Sequence, residues 1–453
     1  MQDASRTTHQ QTMNATATDE HIMLVQTSAS ANANKFYELR LVGPTVHARW
    51  GRVGAEGQQT TYGGGMSTFN RKRREKERKG YVQVDVATAP SAGKDMRLRE
   101  VAAKSLVTTD AAADPRVASL IDYLVAKNAH DIGVASGGKI TVKDGSVQTP
   151  LGLLTQSAIG TARVTLAELQ TATNGERIRL LERYMMTVPQ SVGMSRGWQD
   201  RVLVTPQDFA EQATFLDQLE ASLDVALAQS KAAAGDDDET TSDLFRFRLC
   251  PVDEAKLIDR ITKKYRSTAN AGHGYGVNSA KVRSVYTLTD SKRTVPFEKV
   301  SKEIGNVKEL WHGSRAHNIL SIMSKGLFIP PTYGSGIQIA GRMFGNGIYF
   351  SEQSTKSANY SRGGTWSSGT DNRWFMLLAD VAMGNEFWPS KATGFSFGSG
   401  RYEDVYNGKI TDDKGRRFNS VNVKAGTAGV RNHEAIVANL DQINLRYLVE
   451  FEG

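Results

Sequence analysis

FGNGIYFSEQSTKSANYS, residues 344–361, carries a glycine-rich loop into the aromatic run IYF, with LWHGSRAHNIL (310–320) upstream and NHEAIV (432–437) downstream. The glycines follow no strand and open no crossover helix, which argues against a parallel dinucleotide-binding fold. Around them the pattern is that of strands. In FRFRLC, Phe245, Phe247 and Leu249 alternate with arginines, and in LRYLVEFE, Leu445, Tyr447, Val449 and Phe451 alternate with mostly polar residues. Glycine-rich loops (GSGIQIAGRMFGNG, SRGGTWSSGT, GFSFGSG) lie between the strands. The region from about 243 to 453 therefore reads as an α+β domain with antiparallel sheets and functional loops.

Upstream the texture changes twice. With 453 residues the chain has room for about three domains. The middle block reads helical. Pro115 suits a first turn, and Val117, Leu120, Ile121, Leu124 and Val125 form one apolar stripe. A second helix fits ERIRLLERYMMTV. In a third, Thr205 caps, Pro206 takes the first turn, and Phe209, Ala213, Leu216, Leu219, Leu223 and Leu227 make a stripe. These helices imply a bundle. The first block, from FYELRLV through VHARWGRVG to YVQVDV, reads as a small twisted sheet with one basic helix. ATAPSAGKDMRLRE (87–100) and KAAAGDDDETTS (231–242) read as linkers, and residues 1–34 as a solvated tail.

Composition narrows the function. No run approaches the roughly 20 apolar residues of a membrane span. A single cysteine, Cys250, excludes a disulfide framework and any zinc site drawing two thiolates from one chain. The start has neither an apolar signal core nor an arginine-rich amphipathic pattern, so the expectation is an intracellular protein in a reducing compartment. Net charge is +8. From Lys35 to Tyr81 eleven basic residues face four glutamates, so nearly all of the excess sits in one segment containing RKRREKERK (71–79). That concentration suits a polyanion partner, although such a run also reads as a solvated helix face.

Phosphate-loop and zinc-protease motifs are absent. What remains is His312, Tyr349 and Glu434. Singly, each has an ordinary reading: a capping or core histidine, a strand aromatic and an exposed strand end. Together and in this order they resemble the catalytic domain of the poly(ADP-ribose) polymerase family, whose signature is a His-Tyr-Glu triad. His312 lies in H-G-S, Tyr349 in G-x-G-I-Y-F, Glu434 three residues before Val437, and KSANY (356–360) matches the family's nicotinamide-pocket string. Trp50, Gly51 and Arg52 spell the motif of the family's small DNA-reading WGR domain. TPLGLL (149–154), RYMMTVPQSVG (183–193) and FLDQLEASLDVA (215–226) resemble its helical regulatory domain.

The resemblance implies a multidomain α+β chain: a tail at 1–34, a WGR-like β-sheet domain with one helix at 35–90, an all-α regulatory bundle at 100–232, and an ADP-ribosyltransferase domain at 243–453. It implies NAD as substrate and no metal. Gly313 and Ser357 would fix the nicotinamide carboxamide, and Tyr360 and Tyr349 would wall the ring. His312 and Ser314 would hold the adenosine ribose, and Lys356 would border the pocket. Glu434 would bind the nicotinamide-ribose 2′-OH beside the developing cation. Trp50, Gly51 and Arg52 would meet DNA. The implied activity is poly- or oligo(ADP-ribosyl)ation of proteins, the chain itself included, triggered by DNA strand breaks. Mono-transfer and a catalytically silent DNA-binding scaffold are the alternatives. An accessory factor is among the expected partners, and no membrane partner is expected. The place of work would be on DNA, in a nucleus or a nucleoid.

Three departures from the family pattern stand out. Phe328 replaces an arginine near the adenine, and Arg342 an aromatic before the glycine loop. Asn432 stands where branching members have tyrosine.

Overall fold

The computed structural model describes residues 20–28, 33–53, 56–84, 114–143, 146–190, 198–233, 246–273, 279–290, 292–329, 343–362, 372–389, 392–393, 396–397 and 400–453. These fall into two compact units divided near residue 86.

The first unit is an antiparallel sheet of β1 (Glu20–Ser28), β2 (Ala33–Val42), β3 (Thr45–Arg52), β4 (Gln58–Tyr62) and β5 (Val82–Val84), ordered β4-β3-β2-β1-β5, with α1 (Gly65–Arg78) on one face. Ile22, Leu24, Tyr37, Leu39, Leu41, Val46, Ala48 and Phe69 form its core. The solvated tail expected through residue 34 is corrected here. Residues 20–28 are β1, with Met23, Leu24 and Val25 buried, and β1 pairs on both sides, with β2 and β5. The short strand HIMLV lies in a polar surround, and its partners are what make it a strand.

The second unit begins with α2 (Pro115–Ala135), β6 (Thr141–Lys143), β7 (Ser146–Thr149), β8 (Gly152–Leu153), α3 (Gln156–Thr171), α4 (Asn174–Thr187) and α5 (Pro206–Ala233). The helices start as their sequence suggests. Pro115 follows the Asp114 cap, and at α5 the Asp208 N–H donates to Thr205 Oγ1 (3.2 Å) while the Asp208 carboxylate accepts from the Thr205 N–H (2.8 Å). The helical block also carries the small sheet β6-β7-β8. Helix α5 continues to Ala233, three residues into the stretch read as a linker, whereas 87–100 and 234–242 lie outside the described residues.

The rest of the unit runs β9 (Phe247–Pro251), α6 (Ala255–Ser267), β10 (Lys281–Asp290), α7 (Thr294–Ile304), β11 (Val307–Gly313), α8 (Ala316–Lys325), β12 (Ile348–Phe350), α9 (Ser354–Arg362), β13 (Arg373–Ala382), β14 (Glu386–Phe387) and the two-residue strands β15, β16 and β17 at 392–393, 396–397 and 400–401. It closes with α10 (Tyr402–Tyr406), β18 (Ser420–Val423), β19 (Glu434–Val437) and β20 (Ile443–Glu452). One sheet is ordered β11-β13-β20-β10-β9 and a second β12-β19-β18-β14. β20 departs from simple alternation, because Leu448 and Glu450 are as buried as Tyr447, Val449 and Phe451. A strand flanked by β13 and β10 and covered on both faces has no solvent side.

Val117, Leu120, Ile121 and Leu124 of α2 join the core that holds Ile319, Leu320, Met323, Phe375 and Leu377. The helical block is thus packed directly onto the α8 side of the sheet, and its seam is polar at the rim. Tyr123 Oη donates to the Arg373 carbonyl (2.9 Å), Ser324 Oγ donates to Asp224 (3.0 Å), and His317 and Lys325 pair with Asp131 and Glu220.

Candidate active site

The site is built where the two sheets of the second unit touch. Trp311 and Ser351 exchange backbone hydrogen bonds, each 2.9 Å, so β11, an edge strand that stays paired with β13 through Gly313, meets the residue after β12 on its free side. The candidate residues lie on the elements around this bridge. They are His312 and Gly313 from β11, Ser314 directly after it, Tyr349 from β12, Lys356, Ser357 and Tyr360 from α9, and Glu434 from β19.

His312 is fixed by geometry. Its Nδ1 donates to the Tyr349 carbonyl at 2.9 Å, since a carbonyl can only accept, and this leaves Nε2 as an acceptor. Burial pushes its pKa down to about 4, so the ring is neutral at physiological pH. A neutral Nε2 suits a ribose hydroxyl.

Gly313 is required by close approach. A Cβ there would lie 1.9 Å from the Ser357 carbonyl oxygen, so only glycine lets β11 sit on α9. The contact sets the Gly313 backbone beside Ser357, the pair expected to clamp a carboxamide. Gly347 is constrained likewise, its Cβ position being 2.6 Å from Ile436.

Tyr349 uses its hydroxyl on the protein. Oη donates to the Gly345 carbonyl (2.8 Å) and accepts from the Phe344 N–H (2.9 Å), which pins the glycine loop. Tyr406 supports the same loop through a 2.8 Å bond from its hydroxyl to the Phe344 carbonyl. Tyr360, 40% exposed, is accessible for stacking. Phe328 is likewise exposed, and Arg342 lies outside the described residues.

Glu434 opens β19, opposite Val423, one residue past the Phe350–Ala435 pair. Its carboxylate takes an ion pair from Lys356, whose ammonium also lies 5.4 Å from the Tyr349 ring centroid. Burial pulls the Lys356 pKa down to about 7. The structure therefore brings His312, Tyr349, Lys356 and Glu434 together, with Gly313 and Ser357 in contact.

Sequence reading missed Tyr406 and Asn270, neither of which belongs to a motif. Asn270 Nδ2 donates to Asn432 Oδ1 (3.0 Å), tying the segment after α6 to the approach to Glu434.

In the first unit Trp50 is half-buried and stacked on Tyr37, ring centroids 6.0 Å apart. A Cβ on Gly51 would lie 2.9 Å from Gly57 Cα. Both have structural work, and Arg52 is the exposed member of the trio. The basic helix divides its charges. Lys72 and Lys76 lie over the Tyr62 and Tyr37 rings (4.5 and 4.0 Å), Arg73 pairs with Glu77, and Lys79 with Glu75. Arg71, Arg74 and Arg78 are exposed on one helix face and make no ion pair among the described residues.

Comparison with known proteins identifies the domain that carries these residues. Residues 256–453 match the poly(ADP-ribose) polymerase catalytic domain and residues 20–88 the WGR domain. The chain is 24% identical over 481 residues to human poly [ADP-ribose] polymerase 2, spanning 95% of this chain and 79% of that one. It is 25% identical to poly [ADP-ribose] polymerase 2-B of rice (94% and 70%). A putative poly [ADP-ribose] polymerase-like protein of invertebrate iridescent virus 6 is 32% identical over 177 residues, 36% of this chain and 83% of that one. The protein is an NAD+ ADP-ribosyltransferase. It belongs to the poly(ADP-ribose) polymerase family, with a WGR domain ahead of the catalytic one.

Proposed function

We propose that the chain builds poly- or oligo(ADP-ribose) on protein acceptors, itself included, with release of nicotinamide, and that DNA strand breaks switch it on. The observation that carries the chemistry is the buried meeting of Glu434 with Lys356 beside the His312–Tyr349 bond. Breaking the bond between ribose C1′ and nicotinamide develops positive charge on the sugar. Glu434, accepting from the 2′-OH, would place negative charge beside it and orient the incoming hydroxyl. His312 Nε2 and Ser314 would hold the far ribose, converting remote binding into alignment. Gly313, Ser357 and the rings of Tyr349 and Tyr360 would hold the leaving group.

For activation, DNA would bind the WGR unit through Arg52 and the free arginines of α1. The helical block would shield the cleft until that binding favours an open state. The domain bounds that go with this reading are 20–90, 100–233 and 243–453, and the place of work is on DNA. One observation favours the mono-transfer alternative: Asn432 is buried and held by Asn270 where branching members have tyrosine.

The test is incubation of the full chain with labelled NAD, with and without 5′-phosphorylated nicked duplex. Turnover that rises with the nick supports the reading. Equal turnover in both removes DNA activation, and a single labelled band leaves mono-transfer.

A further inference from the structure

His433, the residue before Glu434, is buried, and every polar group it owns is engaged. Its backbone N–H donates to Gln353 Oε1 (2.8 Å), and its carbonyl accepts from Ser351 Oγ (2.6 Å). Nδ1 accepts from the Glu352 N–H (3.0 Å), which forces the ring proton onto Nε2, and Nε2 donates to Asn422 Oδ1 (2.6 Å). The chain of bonds continues. Asn422 Nδ2 donates to Glu386 Oε1 (3.0 Å), and Lys308 pairs with Glu386 (2.8 Å) and stands 3.6 Å from Glu352.

The partners come from two places that matter. Residues 351–353 are the turn that leads from β12 into α9, so they set where Lys356 and Ser357 lie. Asn422 sits on β18, the strand that pairs with β19. His433 is thus the joint between the wall that carries Lys356 and the strand end that carries Glu434.

We infer that His433 is a positioning residue for the transfer reaction, acting through its fixed neutral tautomer to hold the Glu434 carboxylate against the α9 wall. The inference rests on the catalytic role proposed for Glu434. Burial agrees with it, since desolvation pushes the His433 pKa down to about 4 and keeps the ring uncharged. A protonated ring would carry a hydrogen on Nδ1 facing the Glu352 N–H, two donors opposed. The groups on β11 are not among its partners, and α9 is also seated on Gly313 and tied to the Tyr265 carbonyl through Ser354 Oγ (2.6 Å), so loss of the joint should shift Glu434 rather than Ser357 and leave binding intact.

The experiment is steady-state NAD turnover by the full chain with nicked DNA, for His433→Leu, His433→Gln and Glu434→Gln. His433→Leu should lower kcat by about 10- to 100-fold, the scale of a misplacement near 1 Å, with KM for NAD unchanged. His433→Gln, which can still donate toward Asn422, should recover a large part of that loss. Wild-type kcat in folded His433→Leu, or a rise in KM alone, overturns the inference. If His433→Leu fails to fold, Asn422→Ala, which removes the acceptor and keeps the histidine, should give the same drop in kcat at constant KM, and wild-type kcat there overturns it equally. Glu434→Gln separates the two levels. Full turnover by that variant would refute the role of Glu434 itself, whereas a dead Glu434→Gln beside an unaffected His433→Leu would refute only the joint.

Discussion

Lys356 and Glu434 form a buried ion pair that joins α9 to the first residue of β19. The two charges sit in a cleft wall with side chains 8% and 14% exposed, so each depends on the other for solvation. Removing the ammonium leaves the carboxylate easier to protonate. Lys356→Met should therefore move the acidic limb of the kcat–pH profile to higher pH, by about one unit or more. A limb that stays in place would show that Glu434 does not govern it.

His312 gives a prediction of opposite kind. Its pKa of about 4 is below the ordinary histidine value of 6.5, so Nε2 remains an acceptor down to about pH 5. NAD affinity, read by calorimetry on the inactive Glu434→Gln variant, should be flat from pH 8 to pH 5.5 and weaken toward pH 4. The unfolded chain takes up this proton near pH 6.5, and the folded one does not until about 4, so the folded state loses stability as pH falls through that window. The loss is about 1 kcal/mol per pH unit, and His433, also near 4, adds to it. Thermal denaturation at pH 7 and pH 5 should show the fall, with a smaller fall in His433→Gln.

Gly313→Ala tests the seat of β11 on α9. With 1.9 Å between the new Cβ and the Ser357 oxygen, strand and helix must part. NAD binding should weaken at least about tenfold, as a displaced clamp predicts, and the melting temperature should drop. Unchanged affinity would mean that this contact does not form the carboxamide site.

The arginines and lysines of α1 should separate. Arg71, Arg74 and Arg78 reach solvent, and their joint change to alanine should reduce the slope of log K against log salt for duplex DNA by about 3. Lys76→Ala, which uncovers the Tyr37 ring, should instead lower the stability of the first unit by about 1 kcal/mol. Equal effects of the two on DNA affinity would contradict the division.

The candidate site residues were legible because each lies in a short motif whose order survives in one dimension. Helices α2 and α5 were legible from caps and stripes. What the sequence could not show depends on partners far along the chain. β1 reads as part of a polar tail until β2 and β5 flank it. The stripe of α2 fits a self-contained bundle as well as it fits Phe375 and Leu377, where it packs. Trp50 and Gly51 stand in a short motif, and the packing they make on Tyr37 and Gly57 is written in no local pattern. Tyr406 and Asn270 act through hydrogen bonds to loops more than 60 and 160 residues away, and no local pattern records such bonds.

The central claim is that Glu434 drives transfer at this cleft. It is tested most directly by labelled NAD and nicked DNA with wild type and Glu434→Gln side by side, product sized on a gel and NAD binding measured in parallel. The account predicts DNA-stimulated labelled product from the wild type, and from the variant no chain growth at near-normal NAD affinity. The same product ladder from Glu434→Gln would contradict it.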